Sequence, residues 1–320
     1  MSSIRKPIES ELGIFNRLFE QTMSNADGIL GRICQGIAER KGKLMRPLLV
    51  MLVCKEWSEV NNSAYYSALT LELLHNASLV HDDIVDESDE RRGRPSVRAM
   101  FGNKAAVLAG DYLLSSSLEN ASLTGNISIV NSISRLGKQL SEGEIIQLTN
   151  TRCNDFREEI YYQVIRLKTA SLFATAARLG AVCAGRNEQT VNEMERLGDI
   201  IGICFQIRDD IFDYYNNDVG KPTGSDMTEG KLTLPALYAI NSTQDPDITA
   251  IATRIKQGHA TREEINRLIE FTKSNGGIDY AQDCMKKFSD EAKSLIANFQ
   301  NAEIKQALTA YIDFVSARTI

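Results

Sequence analysis

Apolar residues recur along this chain at helical spacing, and no stretch alternates apolar and polar with a period of two. Between Ile4 and Arg40, the residues Ile8, Leu12, Phe15, Leu18 and Phe19 fall on one helical face, and a glycine-punctuated second helix follows around 29–37. Pro47 stands at the start of an apolar helix, in the first position, where its missing N–H costs nothing. Residues 64–86 read as one long helix ending in carboxylates. Further helices are predicted over 105–123, 129–148, 157–184 and 188–215, the first of them rich in small residues. The stretches 87–95, 151–156 and 216–235 are charged, polar or glycine-rich and read as loops. In the tail, Thr261 and Glu264 form a capping box for a helix to about Ser274. Gly276-Gly277 stops it, and two amphipathic helices finish the chain. The expected architecture is all-α: a single domain over 1–320, built as a bundle of long helices around a central cavity.

Composition changes that picture little but narrows the function. Of 320 residues, 43% are hydrophobic and 24% charged, with 36 basic side chains against 42 acidic ones for a net charge of −6. Mild acidity argues against a nucleic-acid partner held by counterion release. Six prolines leave room for long uninterrupted helices. The cysteines at 34, 54, 153, 183, 204 and 284 form no CxxC pair and no disulfide framework, so they read as small buried hydrophobes in a reducing compartment. The first residues, MSSIRKPIESE, carry no apolar signal-peptide core. The longest purely apolar run near the start, Leu48–Cys54, is far short of the ~20 residues that span a bilayer. These readings predict a soluble, cytoplasmic protein without a transmembrane segment.

The candidate chemistry is concentrated at two helix ends. Asp82, Asp83 and Asp86 close the helix over 64–86, with Asp82 and Asp86 on one face and Asp83 near Asp86 at i+3. Like charges at that spacing repel, and a hard divalent cation such as Mg²⁺ would compensate them. Taken alone, such a motif reads more readily as a solvated acidic helix end. The chain repeats it: Asp209, Asp210 and Asp213 end a second long apolar helix, 209 − 82 = 127 residues later. If both ends face one cavity, six carboxylates can hold Mg²⁺ around a diphosphate. Basic residues accompany them. Gly42-Lys43 and Arg46-Pro47 precede an apolar helix whose free N–H groups suit an anion. Arg91 and Arg92 follow the first motif and read two ways: as cations that share a diphosphate with the metal site, or as simple ion-pair partners of Asp86, Asp89 or Glu90. Lys168 sits among apolar and small residues and is expected to face an anion, while Lys221 and Lys231 lie in the polar loop after the second motif.

With both motifs placed, the chain closely resembles the trans-isoprenyl diphosphate synthases, or polyprenyl synthetases, over Gly42 to about Pro235. The matching segments, in order, are GKxxRP (Gly42–Pro47), His75 seven residues before the first DDxxD, and RRG (Arg91–Gly93). GDYLL (Gly110–Leu114), EGEIIQL (Glu142–Leu148), KTA (Lys168–Ala170), FQIRDD (Phe205–Asp210) and two GK segments complete the set. The resemblance implies an isoprenoid-synthase fold, a homodimer, and Mg²⁺ as cofactor, three ions with diphosphate bound. It implies Asp82, Asp86 and Asp209 as direct Mg²⁺ ligands, with Asp83, Asp210 and Asp213 acting partly through water. Arg91, Lys168, Thr169, Gln206, Lys221 and Lys231 would contact the allylic diphosphate, of farnesyl or geranyl type. Gly42, Lys43, Arg46, His75 and Arg92 would form the isopentenyl diphosphate pocket. The implied reaction ionises the allylic carbon–oxygen bond, adds isopentenyl diphosphate to the cation and loses a proton, for which released diphosphate is the expected base.

Product length is read from the helix before the first motif. Residues four, eight and eleven before Asp82 are Ser78, Leu74 and Leu71, and the residue five before it is Ala77. In the family, bulky aromatics four or five positions before the motif end the tunnel early. Ser78 and Ala77 are small, so the floor is expected at least one turn, ~5.4 Å, deeper. Leu74, Leu71 and facing residues of 113–118 or 136–140 are the candidates. A product longer than twenty carbons follows. The rival readings are a short-chain farnesyl or geranylgeranyl synthase, a terpene cyclase and a non-catalytic regulatory subunit. The second DDxxD and GKxxRP argue against the cyclase, and the full set of carboxylates argues against the regulatory subunit.

Overall fold

The computed structural model describes residues 1–40, 42–91, 93–150, 155–215 and 223–317. Arg92 and Lys221, both expected in the substrate site, lie outside the described residues, as does Cys153. The elements in chain order are α1 (Ser2–Arg5), α2 (Glu9–Met23), α3 (Gly28–Glu39), α4 (Met45–Lys55), α5 (Asn62–Val85), β1 (Glu90–Arg91) and β2 (Arg94–Pro95). Then come α6 (Val97–Phe101), α7 (Asn103–Leu123), α8 (Ile127–Asn150), α9 (Glu158–Ile165), a π-helical turn (Arg166–Ala170), α10 (Ser171–Cys183) and α11 (Glu188–Phe212). The chain ends with α12 (Ser225–Thr228), α13 (Leu234–Thr243), α14 (Pro246–Lys256), α15 (Arg262–Ser274), α16 (Gly277–Leu295) and α17 (Ala302–Ser316). The fold is all-α, as expected. Among the described residues the only strands are the two-residue antiparallel pair β1–β2, inside a stretch the sequence reads as loop.

The chain divides into two compact units. The first comprises Met1–Lys138, Leu172–Gly198 and Leu295–Tyr311, and the second Gln139–Ser171, Asp199–Ser294 and Ile312–Ile320.

In the first unit the core is built on α4 and α5. Every residue from Leu48 to Cys54 is fully buried, so α4 is apolar on all sides and serves as a central helix. Gly180 of α10 lets the two backbones close up, since a Cβ there would stand 2.6 Å from the Val50 carbonyl oxygen. Asn61 caps α5 by accepting the Ala64 N–H at 3.0 Å, and the helix is buried almost continuously to Leu74. Two contacts fix its register against α7. The Ser117 hydroxyl donates to the Thr70 carbonyl at 2.9 Å, and Gly110 leaves the space that the His81 ring fills. Between those contacts, the i, i+3/i+4 stripe that faces α7 contains Leu71, Leu74, Ala77 and Ser78. Pro47 occupies the third helical position of α4 rather than the first, also a place where no backbone N–H is needed. Leu44, in the left-handed region at φ 54°, turns the chain into that helix.

In the second unit the stretch read as one helix over 157–184 carries a π-helical turn at Arg166–Ala170, which holds the KTA segment. Gly202 of α11 abuts it; a Cβ there would meet Ala170 Cα at 2.4 Å. A wider backbone turn at this contact re-aims Lys168 and Thr169, and π-bulges recur at functional sites. The capping box at Thr261 and Glu264 forms as the sequence indicates, and positive-φ Gly276 separates α15 from α16.

Candidate active site

The first carboxylate motif sits at the C-terminal end of α5, where the last carbonyls already present negative charge, so three carboxylates are doubly unfavourable there. The structure handles them unequally. Asp83 is buried at 3% exposure and is clamped by Arg91, whose Nε donates to Asp83 Oδ1 at 2.8 Å while Nη2 pairs with the same oxygen. Burial raises the Asp83 pKa, and the Arg91 guanidinium pulls against it. Asp82 is half-buried and Asp86 exposed, one turn apart, with the Asp86 N–H donating to the Asp82 carbonyl at 2.8 Å.

The chain leaves α5 through a Schellman turn. The Ser88 N–H donates to the Asp83 carbonyl at 2.9 Å and the Glu87 N–H to the Ile84 carbonyl at 3.3 Å, with Glu87 left-handed at φ 50°. That reversal, pinned by Ser96 Oγ on the Ser88 carbonyl at 2.7 Å, returns Arg91 to the helix end. Arg91 therefore meets Asp83, not the Asp86, Asp89 or Glu90 expected from sequence, while Arg98 takes Asp89 at 2.6 Å.

The other basic positions of this unit surround the start of α4 and the middle of α5. Lys43 is exposed, Gly42 half-buried, and the Lys43 carbonyl accepts from Arg5 at 3.1 Å. Arg46 lies over the Phe173 ring with its guanidinium 5.0 Å from the centroid, and Tyr311 ties down the same helix start by donating to the Met45 carbonyl at 2.8 Å. His75 is buried in α5. Of the residues expected to set product length, Leu71, Leu74 and Ala77 are buried and Ser78 is half-buried, its hydroxyl donating to the His75 carbonyl at 2.9 Å. On α7, Leu113 is buried, but Leu118 is 44% exposed and leaves the list of floor candidates.

The second motif ends α11, and its Asp210 lines a cavity of about 230 Å³ in the second unit. Asp209 is exposed and has Arg208 beside it at 3.5 Å. Asp210 is buried at 2% and held on both oxygens: Tyr161 Oη donates to Oδ2 at 2.6 Å, and Gln206 Nε2 to Oδ1 at 2.8 Å. Burial, then the neighbouring Asp226, pushes the Asp210 pKa well above the usual carboxylate range against the pull of those two donors. Asp213 instead anchors the next turn, accepting from the Ser225 N–H at 2.9 Å, the Ser225 hydroxyl at 2.7 Å and the Asp226 N–H at 3.2 Å.

Lys168, Thr169, Gln206 and Lys231 all line the same cavity. The Lys168 ammonium pairs with Glu144 and donates to Gln147 Oε1 at 3.2 Å. Gly143 permits that approach, since a Cβ there would meet Lys168 Cγ at 2.9 Å. Thr169 donates to Gln206 Oε1 at 2.7 Å, and Lys231 pairs with Glu229 at 2.6 Å. Oriented cations and amide and hydroxyl groups around one pocket make a receptor for a multiply charged anion.

Comparison with known proteins agrees with that chemistry. The polyprenyl synthetase family profile matches residues 27–272. The chain belongs to the polyprenyl synthetase family. The octaprenyl diphosphate synthase of Haemophilus influenzae is 32% identical over 96% of this chain and 94% of its own. A geranylgeranyl pyrophosphate synthase structure from Bacteroides thetaiotaomicron is 47% identical, with a TM-score of 0.88 and 99% coverage of both chains. A polyprenyl synthase of Caulobacter crescentus, complexed with calcium and isoprenyl diphosphate, is 29% identical with a TM-score of 0.92, over 99% of this chain and 98% of that one.

In this polyprenyl synthetase the donor set fits Mg²⁺. Asp82, Asp86 and Asp209 offer carboxylate oxygens, with no thiolate at either helix end, as a hard cation requires. Among the described residues no three His, Cys, Asp or Glu side chains converge into a ready-made cage. The sequence assigns no role to Tyr161 and Asp226, and none to Glu144 and Gln147 beyond their place in the EGEIIQL segment. The EGEIIQL segment carried the signal for the last pair, because its glycine brings Glu144 and Gln147 against Lys168. No helix among the described residues is long and apolar enough to cross a membrane.

Proposed function

We propose that this prenyltransferase condenses isopentenyl diphosphate head-to-tail with an allylic diphosphate of farnesyl or geranyl type, giving an all-trans product longer than twenty carbons. The observation that carries the reading is the pairing of two DDxxD helix ends, the second placing Asp210 in a pocket with Lys168, Thr169, Gln206 and Lys231. Asp82, Asp86 and Asp209 are the direct Mg²⁺ ligands. Asp83, Asp210 and Asp213 act behind them, and both units serve one reaction. Mg²⁺, three ions with diphosphate bound, supplies the positive charge that receives the leaving diphosphate. Lys168, Thr169, Gln206, Lys231 and Lys221, with Arg91, hold and orient that diphosphate, so charge stabilisation is in place before the carbon–oxygen bond breaks. Gly42, Lys43, Arg46, His75 and Arg92 hold isopentenyl diphosphate.

The relatives point to different lengths, octaprenyl in one and geranylgeranyl in the other, and the α5 stripe favours the longer product. Ala77 and Ser78 leave the first turn above the motif open, so the chain grows to the level of Leu74 and Leu71. Homodimerisation is supported by a stripe on α7 and the start of α8 where Val107, Leu108, Leu118, Leu123 and Ile127 are exposed at 42%, 67%, 44%, 59% and 72%. The free cysteines among the described residues support a reducing, cytoplasmic setting.

Product analysis after incubation with Mg²⁺, labelled isopentenyl diphosphate and farnesyl diphosphate tests the reading. A ladder ending well beyond twenty carbons is expected, and Ser78→Phe is expected to shorten it while leaving the first condensation intact. A wild-type stop at twenty carbons or below rejects the open-tunnel argument. No incorporation with any allylic primer rejects the activity.

A further inference from the structure

Tyr161 belongs to none of the motifs that carry the family resemblance, yet it makes a short hydrogen bond to the second carboxylate motif. Its hydroxyl and the Asp210 carboxylate meet at 2.6 Å, with the two residues only 7% and 2% exposed. The other Asp210 oxygen takes the Gln206 amide at 2.8 Å, and the Gln206 carbonyl takes the Thr169 hydroxyl at 2.7 Å. A string of hydrogen bonds thus runs from the π-helical turn through α11 to α9 along the cavity wall. Both donors to Asp210 are neutral, so they orient its carboxyl group by hydrogen bonds alone, one on each oxygen. Tyr161 is itself held in place, its ring packed edge-on against Tyr162 with centroids 5.3 Å apart.

We propose that Tyr161 is a positioning residue of the metal–diphosphate site, fixing the Asp210 carboxylate directly and the Gln206–Thr169 pair through it. The inference rests on the reading of this cavity as the allylic diphosphate site. Its hydroxyl is taken up by Asp210, so it acts through that residue, setting the direction of the carboxyl group and, through it, the orientation of the Gln206 amide. Partners of this kind behind metal ligands typically carry 10–100-fold in affinity.

The test uses the full-length protein, MgCl₂ and inorganic diphosphate, and reads the Mg²⁺ concentration that half-saturates the diphosphate-dependent rise in melting temperature. Tyr161→Phe keeps the ring and removes one hydroxyl, and a roughly tenfold higher Mg²⁺ requirement is expected. In an Asp210→Asn background the same change is expected to add little, because both substitutions act on one bond. Tyr162→Phe, which removes the hydroxyl of the half-buried neighbouring tyrosine, controls for packing and is expected to leave the Mg²⁺ requirement unchanged. A wild-type requirement in Tyr161→Phe, or an equal loss in the Asp210→Asn background, overturns the proposal. If the wild-type protein shows no Mg²⁺-diphosphate stabilisation, the reading of the cavity falls and this inference with it.

Discussion

The two DDxxD motifs share a sequence pattern and a position at the end of a long apolar helix, but the protein supports them differently. In both, the second aspartate is buried and clamped while the first is more open. The clamp on Asp83 is a guanidinium delivered by a Schellman turn and a two-residue hairpin; the clamp on Asp210 is a tyrosine hydroxyl and an amide from separate helices. The last aspartates differ too: Asp86 is exposed at the helix cap, whereas Asp213 is spent holding the turn at Ser225 and Asp226. The buried aspartate of one motif is paired with a guanidinium, and that of the other is held by two neutral donors. The pattern identifies which aspartates exist, and the surrounding fold decides which remain available to a cation.

The largest expected effect removes what the motifs share. Asp82→Ala and Asp209→Ala should each lower kcat/KM about 10³-fold, as loss of a group that stabilises developing charge does, with little change in the apo melting temperature. The next separates the clamps. Arg91→Met leaves Asp83 buried without its guanidinium and should cost about 2 kcal/mol of stability in denaturant unfolding. Asp83→Leu added to it should restore part of the loss. Tyr161→Phe removes a neutral donor and should cost about 1 kcal/mol. Equal costs for the two would erase the distinction.

A smaller effect follows from charge left in place. The folded-state pKa of Asp210 lies above its unfolded value near 4, so the native chain holds that proton longer. Stability from this group is present at low pH and is lost as pH rises through the folded pKa. Without Mg²⁺, the wild-type melting temperature should therefore fall relative to Asp210→Asn as pH is raised above about 4. Parallel curves would show that the carboxylate is not strained. The smallest effect is confined to the first motif: Glu87→Gly relieves a left-handed residue and should stabilise the chain by about 0.5–1 kcal/mol, measured by thermal unfolding.

Much of this was legible in the sequence, because helical periodicity and end signals are local. The long helices, both aspartate motifs and the Thr261–Glu264 capping box can be read from residues a few positions apart. What escaped depends on contacts between distant segments. Tyr161 and Asp210 are 49 residues apart, and nothing local marks the tyrosine as a clamp. The π-helical turn at Arg166–Ala170 lies in a stretch with ordinary helical periodicity and lies against the Gly202 face of α11. Arg91 was visible as a cation near carboxylates, but its partner depends on the left-handed turn at Glu87, a conformation expected of glycine rather than glutamate.

The most direct test of the account is a calorimetric titration of Mg²⁺, with inorganic diphosphate present, into the wild-type protein, Asp82→Ala and Asp209→Ala. Both motifs serving one metal–diphosphate reaction requires tight binding to the wild type and a loss of a hundredfold or more in each variant, whichever motif is cut. Binding that survives intact in either variant, or no binding to the wild type, would contradict it.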